Sequence, residues 1–228
     1  MYLTDEEKKM ASGERGEAVR LSMEILTKVG TIYGAERMVE VNSVHASAVY
    51  PHLTASVELM ENYERMGGRF CVPTTVNPAH TPINFDKWKE YREPEERKEK
   101  CSRLVRAIVK MGVIPNWSCI PFFQGNLPRM GEPVAWVESS AVSFANSVLG
   151  ARANRTAAGV EIPVAITGRA PEFGLYLEEN RIGNALVRVE TRPRTLFDYH
   201  TLGYIIGKRF SDRIPVKRVC LNRRPPTS

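Results

Sequence analysis

Helical patterns and short apolar runs take turns along this chain, and that alternation constrains its fold more than any other feature. Ser12, with Arg15 and Glu17, opens a stretch in which Ala18, Leu21, Ile25 and Val29 recur every three or four residues. This spacing predicts an amphipathic helix closed by Gly30 or Gly34. A strand-like run over 37–41 follows, then a helix over 54–66, a strand over 69–74, and a long charged helix from Pro94 to Met111 with Leu104, Ile108 and Met111 on one face. Strands are predicted over 113–119, 134–137, 160–166 and 186–189. Ser139 is placed to cap a helix reaching Leu149, and Pro193 to Phe210 reads as a helix with proline in its first turn. Residues 213–216 resemble the entry to a last strand. Such alternation produces βαβ units, so the expected fold class is α/β, with mixed or mostly parallel sheets flanked by helices. No internal repeat and no clean interdomain linker is evident.

A chain of 228 residues with 43% hydrophobic content is long enough to bury a core as one large domain or two small ones. No stretch approaches the roughly 18 consecutive apolar residues of a membrane span. The N-terminus is acidic and lacks the basic and apolar regions of a leader, which leads to the expectation of a cytoplasmic protein. Cys71, Cys101, Cys119 and Cys220 are scattered and form no CxxC pair, so neither a disulfide framework nor a zinc ribbon is expected. The net charge of +6 raises the idea of a basic RNA-binding domain, but Lys217, Arg218, Arg223 and Arg224 supply four of those charges within the last twelve residues. Without them the balance is +2, and the nucleic-acid reading loses most of its support.

The richest chemistry lies between Asn116 and Arg152. Asn116-Trp-Ser-Cys119-Ile-Pro-Phe places a soft thiol in a loop punctuated by Gly, Pro and Asn. Glu132-Pro-Val-Ala-Trp-Val-Glu138-Ser139-Ser140 and the words up to Arg152 add hydroxyl, amide and guanidinium groups. Cys119 reads either as an iron ligand or as a small buried hydrophobe at a strand end. Ser139, Ser140 and Asn146 surround a predicted helix start, able to hold a carboxylate or phosphate or simply to cap the helix. Arg152 and Arg181 each offer a planar fork for an anion, against the plainer role of an ion-pair residue. His45 and the Thr74-Thr75-Val-Asn77 loop each follow a predicted strand, where α/β proteins place site residues, although either can be an ordinary hydrogen-bonded loop.

The words Trp136-Val-Glu-Ser-Ser-Ala-Val, Phe144-Ala-Asn-Ser-Val-Leu-Gly-Ala-Arg152 and Leu177-Glu-Glu-Asn-Arg181 resemble the catalytic large subunit of the aconitase X family. So do Met1-Tyr-Leu-Thr-Asp-Glu-Glu, Tyr33-Gly-Ala-Glu-Arg-Met38 and Val72-Pro-Thr-Thr-Val-Asn-Pro78, in register from Met1 to about Val216. The resemblance implies an aconitase-like fold and a hydro-lyase that uses an iron-sulfur cluster. It aligns Cys119 with the first cluster cysteine and places the other two ligands beyond residue 216. It also implies a partner: a small swivelling subunit or domain associated with the catalytic base, which is not identified here.

The archaeal branch of that family dehydrates mevalonate 5-phosphate and the bacterial branch cis-3-hydroxy-L-proline. The first is preferred because the chain organises itself like a separate large subunit. The expected division is 1–216, an N-terminal part of the catalytic domain, and 217–228, a divergent basic tail following truncation or a frameshift. An inactive fragment or pseudoenzyme is the rival from another class.

Overall fold

The computed structural model describes residues 1–48, 54–78, 94–190, 192–211 and 213–219. They belong to two compact units, Met1–Tyr176 and Leu177–Ser228. In the first unit Thr4 starts helix α1 (Asp5–Ser12) with a reciprocal box: its hydroxyl accepts from the Glu7 amide at 3.3 Å, and the Glu7 carboxylate accepts from the Thr4 amide at 2.9 Å. Helix α2 (Glu17–Ile32) follows the predicted periodicity and buries Ala18, Met23 and Leu26. At Gly30 a Cβ would sit 2.9 Å from the sulfur of the flexible Met1 side chain and 3.1 Å from Pro171, so the small residue lets this end of α2 approach Pro171 closely. The predicted helices at 54–66 and 94–111 are α3 (Thr54–Arg65) and α4 (Glu95–Lys110). They pack against each other through faces that bury Val57, Met60 and Tyr63 on one and Leu104, Ala107 and Ile108 on the other.

Strand β1 (Met38–Glu40) pairs antiparallel with β5 (Arg169–Pro171). The site is positioned by a second sheet, in which β2 (Ser43–Ala46) lies between β3 (Thr74–Val76) and β4 (Val134–Trp136), all parallel. Single parallel bridges, Ile114 to Thr75 and Arg152 to Pro133, extend it at both margins. All four residues of β2 are buried, as a central parallel strand requires. Two of them, Ser43 and His45, are nevertheless polar. One sheet face packs on the main core with α6 (Glu161–Thr167), which lies against α2 and β2. Val134 and Trp136 on the other face join Ala141, Val142, Ala145, Ala151 and Ala153 in a smaller core.

Several elements depart from the sequence-based expectations. Residues 160–166 form helix α6, not a strand. Every residue from Glu161 to Thr167 is buried, so the run lacks the polar stripe that marks a helix by period. Pro163 falls in its first turn, where a missing amide costs nothing, and Gly168 at φ +66° terminates it. Over 113–119 only Ile114 bridges a strand, and Trp117 at φ +46° breaks the extended path. The strand expected at 69–74 is displaced onto Thr74–Val76.

In the second unit β6 (Ala185–Val189) and β7 (Pro215–Val219) pair in parallel, and α7 (Leu196–Arg209) lies between them in the chain. Helix α7 starts at a Thr195/Asp198 capping box, not at Pro193. Strand β7 continues three residues past the expected boundary at 216. No helix among the described residues is long and apolar enough to cross a membrane.

Candidate active site at the carboxyl edge of the parallel sheet

Parallel strands deliver all their carboxyl ends to one edge, where side chains from separate segments converge. Here that edge gathers Ser47 and Ala48 after β2, Asn77 after β3, and Val137 and Glu138 after β4. The Asn77 carboxamide ties three of these segments together. Its oxygen accepts from the Ala48 amide at 2.7 Å, and its nitrogen donates to Glu138 Oε2 at 3.4 Å. The segment from Ile114 to Cys119 is stitched along β3: Asn116 Oδ1 accepts from the Val76 amide at 3.0 Å, and the Ser118 amide donates to the Val76 carbonyl at 3.1 Å. Between those two anchors stands Trp117, a bulky residue in the left-handed region, whose strain of roughly 1–3 kcal/mol is held in place by the flanking bonds.

This stitching brings Cys119 to Glu138. The thiol is exposed. Partial burial, the Glu138 charge and a hydrogen bond to that carboxylate all hold its pKa above the ordinary value of 9. A cation bound there would reverse that balance, because metal coordination favours the thiolate. Cys71 lies before the other end of β3, and Cys101 is buried in α4. Among the described residues no group of three or more His, Cys, Asp and Glu stands ready to hold a metal. Cys119 offers an exposed thiol, and the described residues do not complete the ligand set that an iron-sulfur cluster needs. Cys220 lies outside the described residues.

Ser139 and Ser140 are exposed at the start of α5 (Ser139–Phe144), directly after Glu138. Neither hydroxyl caps the helix: Glu138 occupies the cap position and no side-chain cap bond forms. Asn146, in the π-helical turn Ala145–Leu149, clamps the returning chain, donating to the carbonyls of Val142 and Ala153 and accepting from the Ala153 amide. The Arg152 guanidinium donates to the Tyr176 carbonyl at 2.9 Å, beside the amino end of β4. Arg181 belongs to the second unit, in a short helical turn Glu179–Arg181.

His45, Thr74 and Thr75 lie inside strands, not in the loops after them. His45, Thr75 and Trp136 are in register across the sheet and share one face, while Thr74 turns to the other and donates to the Val72 carbonyl. His45 is fully buried, with Nδ1 2.9 Å from Thr75 Oγ1 and no partner for Nε2 among the described residues. Burial pushes its pKa down to about 4, so the ring is neutral. A cavity of about 380 Å³ opens at the opposite, amino edge under residues 124–128 and is lined also by Asn42, Ser43 and Thr75. It contains none of the carboxyl-edge groups.

Sequence reasoning missed Glu161. It is fully buried at the start of α6, and its carboxylate accepts from the Ser47 amide at 3.0 Å and from the Gly159 amide. Burial lifts its pKa to about 7 against the opposing pull of these amides. The available signal was an acid at the head of an apolar run, a common helix start, hidden by reading that run as a strand.

The family described as Aconitase X first domain matches residues 1–179. The chain belongs to the aconitase X family. It is 39% identical over 217 residues to the phosphomevalonate dehydratase large subunit of Thermococcus kodakarensis, covering 94% of this chain and 53% of that protein. Against the protein of the same name from Methanothermobacter thermautotrophicus it is 42% identical, with coverages of 94% and 54%. The cis-3-hydroxy-L-proline dehydratase of Pseudomonas aeruginosa is 36% identical, covering 95% of this chain and 37% of its own length. The crystal structure of Thermococcus kodakaraensis aconitase X in its holo-form superposes with a TM-score of 0.82 at 37% identity, covering 96% of this chain and 55% of that one. The aconitase-like α/β fold expected from the sequence is thus the observed one. The chain spans about half the length of the phosphomevalonate dehydratase large subunits it matches.

Proposed function

We propose that this chain forms part of a cytoplasmic hydro-lyase that dehydrates mevalonate 5-phosphate with the help of an iron-sulfur group. The observation that carries this reading is its identity of 39–42%, over 94% of its length, to two phosphomevalonate dehydratase large subunits. In this reading Cys119 holds one corner of the group, and the remaining ligands lie outside the described residues. When bound, such a group offers a Lewis-acidic iron that makes the substrate hydroxyl a better leaving group.

The chain's own residues supply position and polarity. Ser139 and Ser140 present exposed hydroxyls at the edge that do not cap α5, suited to donate to a carboxylate or phosphate. Asn77 fixes the distance between the β2 and β3 exits and Glu138. Arg181 is the proposed guanidinium for the substrate's anionic group. Asn146 and Arg152, whose bonds tie chain segments together, serve the scaffold, as do Thr74, Thr75 and His45 within the strands. The catalytic base is assigned to a small-subunit partner, consistent with the large-subunit names of the relatives.

The test replaces the matching region of the Thermococcus kodakarensis large subunit by residues 1–216 of this chain, paired with its small subunit and purified without oxygen. Dehydration of mevalonate 5-phosphate, with iron lost in the Cys119→Ser version, is the expected outcome. Turnover of cis-3-hydroxy-L-proline instead would transfer the assignment to that substrate. An iron-loaded chimera that dehydrates neither would refute the reading.

A further inference from the structure

The segment that carries Cys119 continues to Asn126 before the chain turns back toward β4; within it Pro121 is buried and Phe122 stacks on Phe144 at 3.8 Å, while the outer side chains beyond them are less well held. Phe123 is 74% and Leu127 62% exposed. The 380 Å³ cavity lies under residues 124–128, so packing from below is incomplete as well. Against that background one side chain stands out. Asn126 is buried, and its carboxamide nitrogen donates to Thr75 Oγ1 at 2.9 Å and to the Val44 carbonyl at 3.2 Å. Thr75 Oγ1 is in turn 2.9 Å from His45 Nδ1, within a sheet that is buried on both faces.

We infer that Asn126 and Thr75 form a latch that sets the position of the Cys119 thiol, with Asn126 and Thr75 as positioning residues and His45 orienting the Thr75 hydroxyl. The segment is fixed at two places: at Asn116 and Ser118 along β3, and at Asn126 across β2 and β3. Residues 119–125 arch between these points, held by Phe122 on Phe144 and by short local bonds: Ile120 N–H to Ser118 Oγ at 3.1 Å, and Asn126 N–H to the Pro121 carbonyl at 3.1 Å, which ties the Asn126 anchor to a residue two places from Cys119. Removing the second anchor frees one end of the arch. The thiol then leaves its place against Glu138, while the sheet and the main core keep their contacts. The significance of the latch rests on the proposed ligand role of Cys119, but the geometry can be tested without it.

The experiment uses the metal-free 228-residue chain and two probes: alkylation of Cys119 by iodoacetamide, normalised to the exposed Cys71, and amide hydrogen exchange of residues 118–126. In Asn126→Ala and in Thr75→Val, both are expected to accelerate roughly three- to tenfold, the change in local opening that loss of an ordinary hydrogen bond produces. Thr75→Ser keeps the acceptor oxygen and is expected to stay near the wild-type rate. Asn126→Ala alters a loop residue and decides the matter even if Thr75→Val does not fold. Wild-type rates in Asn126→Ala, or a Thr75→Ser variant as fast as Thr75→Val, would overturn the latch. Iron loss in the Cys119→Ser chimera is a separate measurement, so failure of the ligand assignment and failure of the latch are distinguishable.

Discussion

Replacing Glu161 by glutamine removes a buried acid whose proton affinity the fold has raised. Its pKa is lifted to about 7 from an ordinary 4.5, chiefly by burial. Between those values the native chain holds a proton that the unfolded chain has released, so this residue makes stability fall as pH rises. Over 2.5 units at 1.36 kcal/mol each, the fall reaches about 3 kcal/mol by pH 7 and is constant above about pH 8. His45 works in the opposite sense. Its folded pKa is about 4 against 6.5, so the unfolded chain binds the extra proton and stability rises from pH 4 to 6.5. The two contributions nearly cancel in wild type between pH 4.5 and 6.5. Glu161→Gln unmasks the histidine.

The quantity to measure is the difference in unfolding free energy between Glu161→Gln and wild type, by urea titration at several pH values from 4.5 to 8.5. Tryptophan fluorescence is the signal of choice, because Trp117 and Trp136 lie in the first unit and the second contains no tryptophan. The difference should climb by about 3 kcal/mol in favour of the variant across this range, whatever fixed cost the altered bonds to the Ser47 and Gly159 amides impose. A difference constant to within about 0.5 kcal/mol would refute the reasoning, and with it the claim that Glu161 enters the folded state protonated near pH 6.

Ser139→Ala combined with Ser140→Ala is expected to change stability by less than about 0.5 kcal/mol, since neither hydroxyl caps α5, whereas loss of a true cap costs about 1 kcal/mol. The same urea titration checks this, and a loss above about 1 kcal/mol would restore the capping role. Leu26→Ala, at a fully buried position of α2, should cost roughly 2–5 kcal/mol and lower the melting temperature accordingly. A loss below about 1 kcal/mol in calorimetry would mean that the α2 face is not part of the main core.

Much of the fold was legible in the sequence, because helices with one wet face advertise themselves. α2, α3 and α4 each expose a charged stripe, and their apolar residues recur at helical spacing as predicted. The α/β class followed from their alternation with short runs, and Cys119 with Glu138, Ser139 and Ser140 was recognisable as a dense local block. Elements without a water-facing side gave no such signal. Helix α6 is buried all round, so its period is invisible and only tertiary packing against α2 and β2 decided that it is a helix. Strands β2 and β3 were displaced toward loops in the sequence reading because Ser43, His45, Thr74 and Thr75 look solvent-seeking. In the folded chain most of these groups bond to one another or to backbone carbonyls, and burial drives His45 into its neutral form. The register of the parallel sheet decided what no linear spacing contains: that Cys119, Asn77 and Glu138, from three separate segments, meet at one carboxyl edge, and that Asn146 and Arg152 tie the scaffold together.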